Sequence, residues 1–484
     1  MKKEFNQIFI PAIFFLVFAI FCRFQAFGNP LLNIDESFYL FSGGRILEGD
    51  LPYVSFWDRK PIFLFLLYAV FHLFGAYSII SYQIGALIAV WATCLLLFYM
   101  ACTITSRNGA LVAGFLYCVG LSLCGGESGQ SPVFYTLLVT AAMALVLFKV
   151  ILAPDGAQHV RKIGLYAMGL FGISMQIKYT TVFEGIFLGA YLLWYDFCNG
   201  RRIRGLLFDI LLWVIPAILP TAAVFTYYAL IGHGHDWFFA NLESIFLRGS
   251  ITGVEKHSLE VTILKRVFPL IAGAIASVWL LRNSPQKQAR QFISMWAFFA
   301  CGGILVLGCR YDHYFLPAFA PLALVNCFLW NFKWGRYWLV MLLLLGSYKA
   351  QKHIHTRILE SGDISTYHAL LNAMSDQKGC LFIYDGSTSF YDAGHWCALT
   401  RYPFPAHFNE ISELNSTGMD AFSELKHILA QNPEYIMIQK NTDDEDNGHL
   451  REYIAKELNA KYGKIYEYQT SSKTTFIYKI QSKL

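Results

Sequence analysis

Residues 33–61 read NIDESFYLFSGGRILEGDLPYVSFWDRKP, with two adjacent acids, Asp35 and Glu36, near the start and two adjacent cations, Arg59 and Lys60, just before Pro61. A positioned carboxylate can take the proton of an attacking hydroxyl, and cations can stabilise a departing phosphate. One short loop therefore carries both halves of a transfer from a phosphate leaving group. Asp35 is expected to cap a short helix ending near Gly49, with Phe38, Phe41 and Leu47 laid against a membrane surface. Adjacent helical residues diverge by about 100°, so Asp35 and Glu36 cannot address one atom: one acts as base while the other binds. Pro61 is expected at the first position of the next helix, whose exposed N–H groups join Arg59 and Lys60 in an anion site. The competing reading is a solvated juxtamembrane loop whose charges keep a span from sliding.

The surrounding chain decides what positions such a loop. It has 484 residues, 56% hydrophobic and 15% charged, against about 45–50% apolar and about 25% charged for an ordinary soluble domain. This is the composition of an α-helical polytopic membrane protein. A net charge of +5 without a basic block excludes nucleic acid as a partner. Apolar spans are expected near 8–27, 77–104, 109–124, 132–152, 164–177, 179–198, 206–231, 264–281, 291–309, 314–330 and 337–350, about eleven transmembrane helices. The first follows Lys2 and Lys3 and is read as a retained signal anchor. The segment 61–75 is short for a core of about 30 Å and is expected to lie in the interface or re-enter.

Connections bearing Arg107, Arg161 and Lys162, Arg201 to Arg204, Arg282 to Arg290, and Lys333 and Arg336 all fall on the side of the N-terminus. The positive-inside rule makes that side cytoplasmic. The loop 28–61, GGESGQSP at 125–132, the connection near Lys178, the turn RYDH at 310–313 and the tail then face outward. The chain is thus divided into a transmembrane domain, 1–350, and a small extracytoplasmic domain, 351–484, whose alternating helix and strand patterns read as α/β. Strands are expected at CLFIYDG, EYIMIQ and TTFIYKI.

Other charged positions admit two readings each. Lys178 is either a snorkelling anchor or a phosphate ligand, and Arg310, Asp312 and His313 form either an interfacial salt bridge or a substrate contact. Glu184, inside an apolar run, is expected to pair with Lys178 or a neighbouring helix. Nine of eleven cysteines lie in or beside apolar runs. Cys380 and Cys397 lie in polar surroundings, where they either form a disulfide or stay as two buried thiols. No CxxC or His/Cys cluster supports a structural metal, and the acidic NTDDEDNG at 441–448 lacks EF-hand spacing and reads as a solvated loop. No P-loop or dinucleotide fingerprint is present, so no nucleotide cofactor is implied. Isolated acids are compatible with a divalent ion and with none.

The order of the first loop is an acid pair, aromatic and small residues, R-I-L-x-G, a short Pro-Tyr loop, then K-P and an apolar helix ending in F-G. It resembles the first external loop of GT-C glycosyltransferases, specifically glycosyltransferase family 39, which includes protein O-mannosyltransferases and lipid A aminoarabinose transferases. IKYTTVFEGIFLG at 177–189 is similar to the family's Lys-containing span entry, and YDHYFLPAFAPLAL at 311–324 to its HY-x-L-P span. The resemblance implies Asp35 as catalytic acid/base with Glu36 as its motif neighbour. It implies Lys60 as the lysine of K-P and His313–Tyr314 as the HY pair; beside that resemblance, Arg59 with Lys60, joined by Lys178 or Arg310, are the candidates to hold the donor phosphate. Pro132 stands where many members carry a second acid, leaving Glu127 as the substitute and Asp58 as its rival. The implied activity is inverting transfer of a sugar from a polyprenyl-phosphate donor to lipid A, a glycan or a protein, at the periplasmic face of a bacterial inner membrane. Two other classes compete. A transporter or flippase for lipid-linked glycans would show paired halves and broken helices, and a scaffold would leave Asp35 dispensable.

Overall fold

Long apolar runs with few charges have one economical conformation in a bilayer, the helix, because it satisfies every backbone group internally. In the computed structural model, which describes residues 2–249, 254–281, 286–307, 311–374, 379–440 and 446–481, each of the eleven apolar stretches is helical over most of its described residues. Seven helical stretches among the described residues are long and apolar enough to cross a membrane: 9–26, 75–101, 131–151, 203–230, 261–280, 287–306 and 312–331. Ile62–His72 and Arg107–Leu123 are apolar but shorter.

The chain clusters into two compact units that do not follow sequence order. The first comprises Met1–Gln25, Gln83–Val224 and His257–Ile354. It is helical, and its helices meet where side chains are small. A methyl on Gly172 would come within 2.4 Å of Pro216 O, and one on Gly120 within 2.4 Å of the Phe319 ring, so glycine permits both approaches. Arg161 and Arg201, from two of the basic connections, converge on buried Asp209 at 2.5 and 3.2 Å.

The second unit comprises Ala26–Tyr82, Phe225–Lys256 and His355–Leu484. Its centre is a five-stranded sheet, β1 Cys380–Ile383, β2 Cys397–Ala398, β3 Tyr435–Lys440, β4 Tyr462–Gln469 and β5 Thr474–Ile480, in the order β2-β1-β3-β5-β4. β2, β1 and β3 run parallel, while β5 is antiparallel to both β3 and β4. Helices begin where capping side chains accept backbone N–H groups: Asp363 before Ile364–Ala373, Asp420 before Ala421–Ala430 and Asn447 before Gly448–Lys461. The three expected strands are present. The sequence pattern missed β4, whose alternation is masked by exposed polar and tyrosine side chains and whose first two residues read as the end of a helix. It also missed the two-residue β2, which a disulfide between Cys380 and Cys397 ties to β1 at the paired register position. Residues 441–445 of the acidic stretch, which reads as a solvated loop, lie outside the described residues.

Candidate functional site

The helix Ile34–Leu47 carries the acid pair in its first turn. Asn33, not Asp35, is its N-cap residue; Asn33 Oδ1 accepts from Arg357 Nη2 at 2.7 Å, and the same guanidinium reaches Leu32 O at 2.5 Å. The helix stops as expected just before Gly49. Asp50 N–H reaches Arg45 O and Gly49 N–H reaches Ile46 O, each at 3.0 Å, and Gly49 supplies the left-handed φ of 98° that this ending requires. The expectation that Phe38 and Phe41 lie against a membrane surface is corrected: both are buried within the unit. Phe38 meets Phe65 and Phe404, and Phe41 meets Tyr391. Only Leu47 of that trio is exposed.

Burial separates the two acids as the helical angle demands. Glu36 is 0% exposed, whereas Asp35 is half-buried. The helix is held by its neighbour Ile62–His72 at Gly43, where a methyl would come within 2.5 Å of Ala69 N and 2.6 Å of Tyr68 C. Tyr39 and Tyr68 add an edge contact at 5.4 Å between ring centres. Pro61 sits one position earlier than expected, as the N-cap residue of Ile62–His72, because its ψ of 149° is extended rather than helical.

Between these helices, the loop 48–61 is tied to itself. Asp58 is buried; its Oδ1 accepts Lys60 N–H at 2.8 Å and lies 3.7 Å from Lys60 Nζ. Tyr53, at a left-handed φ of 67°, donates its hydroxyl to Lys60 O at 2.8 Å. The Lys60 ammonium lies over the Tyr39 ring at 5.6 Å, which brings it to the helix that bears Asp35 and Glu36. Arg59 turns elsewhere, forking onto Glu413 and Ser416. Around this turn, His407 is buried edge-on to Trp57 at 4.9 Å. Burial depresses its imidazole to about 4, ahead of the opposing attraction of Asp58 and Glu413. The first loop thus brings Asp35, Glu36, Asp58, Arg59 and Lys60 into one unit.

The remaining candidates belong to the other unit. Glu127 is 1% exposed in a loop gripped by Arg23, whose guanidinium donates to Gly126 O at 2.7 Å and to Ser128 O. Lys178 Nζ lies 4.9 Å from the centre of the Tyr314 ring. His313 stacks on Tyr311 at 5.5 Å and meets Tyr314 edge-on at 5.0 Å, so Lys178, His313 and Tyr314 are brought together. Arg310 lies outside the described residues. Asp312 faces Arg266 at 3.5 Å and His353 at 3.8 Å, and Arg266 also donates to Leu123 O at 3.0 Å. Arg23, Arg266 and His353 escaped sequence reasoning because each sits in or beside an apolar helix, with partners far along the chain. Glu184 accepts from Trp296 Nε1 at 2.6 Å, a neighbouring-helix pairing as expected. Among the described residues no group of three or more His, Cys, Asp or Glu side chains could hold a metal ion.

These geometries stand on a known architecture. No protein-family model and no curated protein matches the chain. Among solved structures it is similar to ArnT from Cupriavidus metallidurans bound to undecaprenyl phosphate, over 98% of both chains, with a TM-score of 0.61 at 11% identity. The oligosaccharyltransferase of Archaeoglobus fulgidus, in complex with zinc and sulfate, matches 88% of this chain and 67% of its own, with a TM-score of 0.48 at 11% identity. The chain shares the fold of that ArnT structure, with a set of apolar helices and a small C-terminal α/β sheet.

Proposed function

We propose that this chain is a membrane glycosyltransferase that moves a sugar from a polyprenyl-phosphate donor to an acceptor hydroxyl or amine at the periplasmic face of a bacterial inner membrane. One observation carries the reading. A chain matched end to end by a GT-C structure bound to undecaprenyl phosphate holds a half-buried carboxylate, Asp35, on the helix against which the Lys60 ammonium rests.

In the proposed reaction the acceptor heteroatom forms a bond to the anomeric carbon as the bond from that carbon to the phosphate oxygen breaks. The electron pair leaves with the polyprenyl phosphate, and configuration inverts. Asp35 takes the acceptor proton, the task of a partly accessible carboxylate, while wholly buried Glu36 orients the helix start. Lys60, with its carbonyl and N–H fixed, offers its ammonium to the donor phosphate. Lys178, His313 and Tyr314 form a cationic and aromatic group suited to a second substrate contact, and Glu127 remains the candidate for the second acid. The disulfide of the tail supports an oxidising, periplasmic setting for residues 351–484.

The test is Asp35→Asn in purified full-length protein supplied with polyprenyl-phosphate sugar, after mass spectrometry of lipid A, glycans and exported proteins has identified the acceptor. Turnover should fall by about 10²–10⁴-fold, the contribution of a positioned general base. Parental turnover in a stable Asp35→Asn protein would refute the assignment.

A further inference from the structure

Three segments far apart in sequence meet on one buried carboxylate. Glu413, in the turn Ile411–Ser416, is 4% exposed. Its Oε1 accepts from Arg59 Nη1 at 3.3 Å and pairs with Arg248 Nη2 at 2.5 Å. Its Oε2 accepts from Arg59 Nη2 and, at 3.0 Å, from Ser416 Oγ, which in turn accepts from Arg59 Nη2 at 2.8 Å. The backbone closes the same knot, with Gly249 N–H donating to Ser412 O at 2.9 Å. Burial pushes the Glu413 carboxyl upward, but Arg59 and Arg248 together outweigh it and bring it down to about 2. The charge is therefore always present where the protein works.

A guanidinium forked on a fixed carboxylate keeps one orientation. Arg59 is followed directly by Lys60, whose N–H is held by Asp58 and whose carbonyl is held by Tyr53. With Arg59 anchored, the turn 58–60 sends its two cations to different places, the guanidinium to Glu413 and the ammonium to the face of Tyr39. We propose that Glu413 is a positioning residue for Lys60: Arg59 is the tether between them rather than a phosphate ligand, and the tail sets the donor-binding geometry of the first loop. The proposal rests on the reading of Lys60 as the donor-phosphate ligand.

The test measures binding of undecaprenyl phosphate to purified full-length protein carrying Glu413→Gln, Ser416→Ala, Lys60→Ala and the two pairings with Lys60→Ala. Glu413→Gln should weaken binding about tenfold, and Ser416→Ala, which keeps every charge, about two- to threefold. Neither change should add to the loss in Lys60→Ala, since both act through that side chain. Ser416→Ala decides the matter if Glu413→Gln does not fold. Losses that multiply with that of Lys60→Ala, or parental binding in the Glu413 and Ser416 variants, overturn the proposal and leave the Lys60 reading intact. Parental binding by Lys60→Ala itself removes that reading, and the proposal with it.

Discussion

Acid should loosen the knot around Glu413 within a definable range. Its carboxyl falls from an ordinary value of 4.5 to about 2 in the folded protein. Because the folded value is depressed, the stabilisation is complete above about pH 4.5 and is lost as pH falls toward 2. That depression corresponds to about 3 kcal/mol, a large share of the stability of a folded domain. Glu413→Gln removes the titration and leaves the two guanidiniums facing a neutral amide. The variant should be weaker than the parent at pH 7 by about 3 kcal/mol, and the two should converge by about pH 2. Hydrogen exchange of the amides of 57–60 and 411–417, followed from pH 2 to 7 in both proteins, gives the local opening free energy directly. Comparison of the two cancels the contributions of other acids, among them Asp363, which hydrogen bonds from Ser365 and Thr366 hold at about 2. Opening curves that stay parallel throughout would show that Arg59 and Arg248 do not stabilise the folded state through this carboxylate.

His407 should act in the neighbouring range: its buried imidazole is depressed from 6.5 to about 4. Its neutral form therefore stabilises above pH 6.5, with about 3 kcal/mol lost as pH falls toward 4. His407→Phe should flatten that part of the stability profile, read by the same exchange measurement. Gly43→Ala should cost about 1–3 kcal/mol, the range for overpacking a close contact, and separate the helix that carries Asp35 from Ile62–His72, which follows Lys60; loss of thermal stability and turnover together would register it. Removal of the Cys380–Cys397 disulfide by paired serine substitutions should destabilise the tail by about 3 kcal/mol for a loop of this size. Limited proteolysis under oxidising conditions, with cleavage rates of the two proteins compared, checks this.

The parts of this molecule that were legible in its sequence are those with local causes. Apolar runs such as Ser78–Ala101 became helices because hydropathy over about 20 residues decides the matter, and the helix after Asn33 ended at Gly49 because its termination is a short-range event. Strands β1, β3 and β5 were visible as apolar, branched or aromatic runs. What stayed hidden depends on distant partners. Phe38 and Phe41 look like a membrane-facing stripe until Phe404 and Tyr391 cover them. The pairing of Arg59 with Glu413, and the hold of Arg23 on Gly126 and Ser128, are equally invisible in the local sequence. No periodicity within a short window carries such information.

The bonds that shape residues 29–59 reach a very long way down the chain. Asn29 donates to Gly362 O, Ser387 to Pro30 O, Arg357 to Leu32 O, and Arg59 to Glu413, a separation of 354 residues in the last case. During synthesis the first loop emerges long before any of these partners exists. These ties can close only once residues 357–413 have been made, because contacts of such high sequence separation close late. A chain truncated before residue 357 would possess every residue of its first loop and still lack these ties. Synthesis of residues 357–413 is thus a checkpoint: only a chain that has passed it can set its first loop.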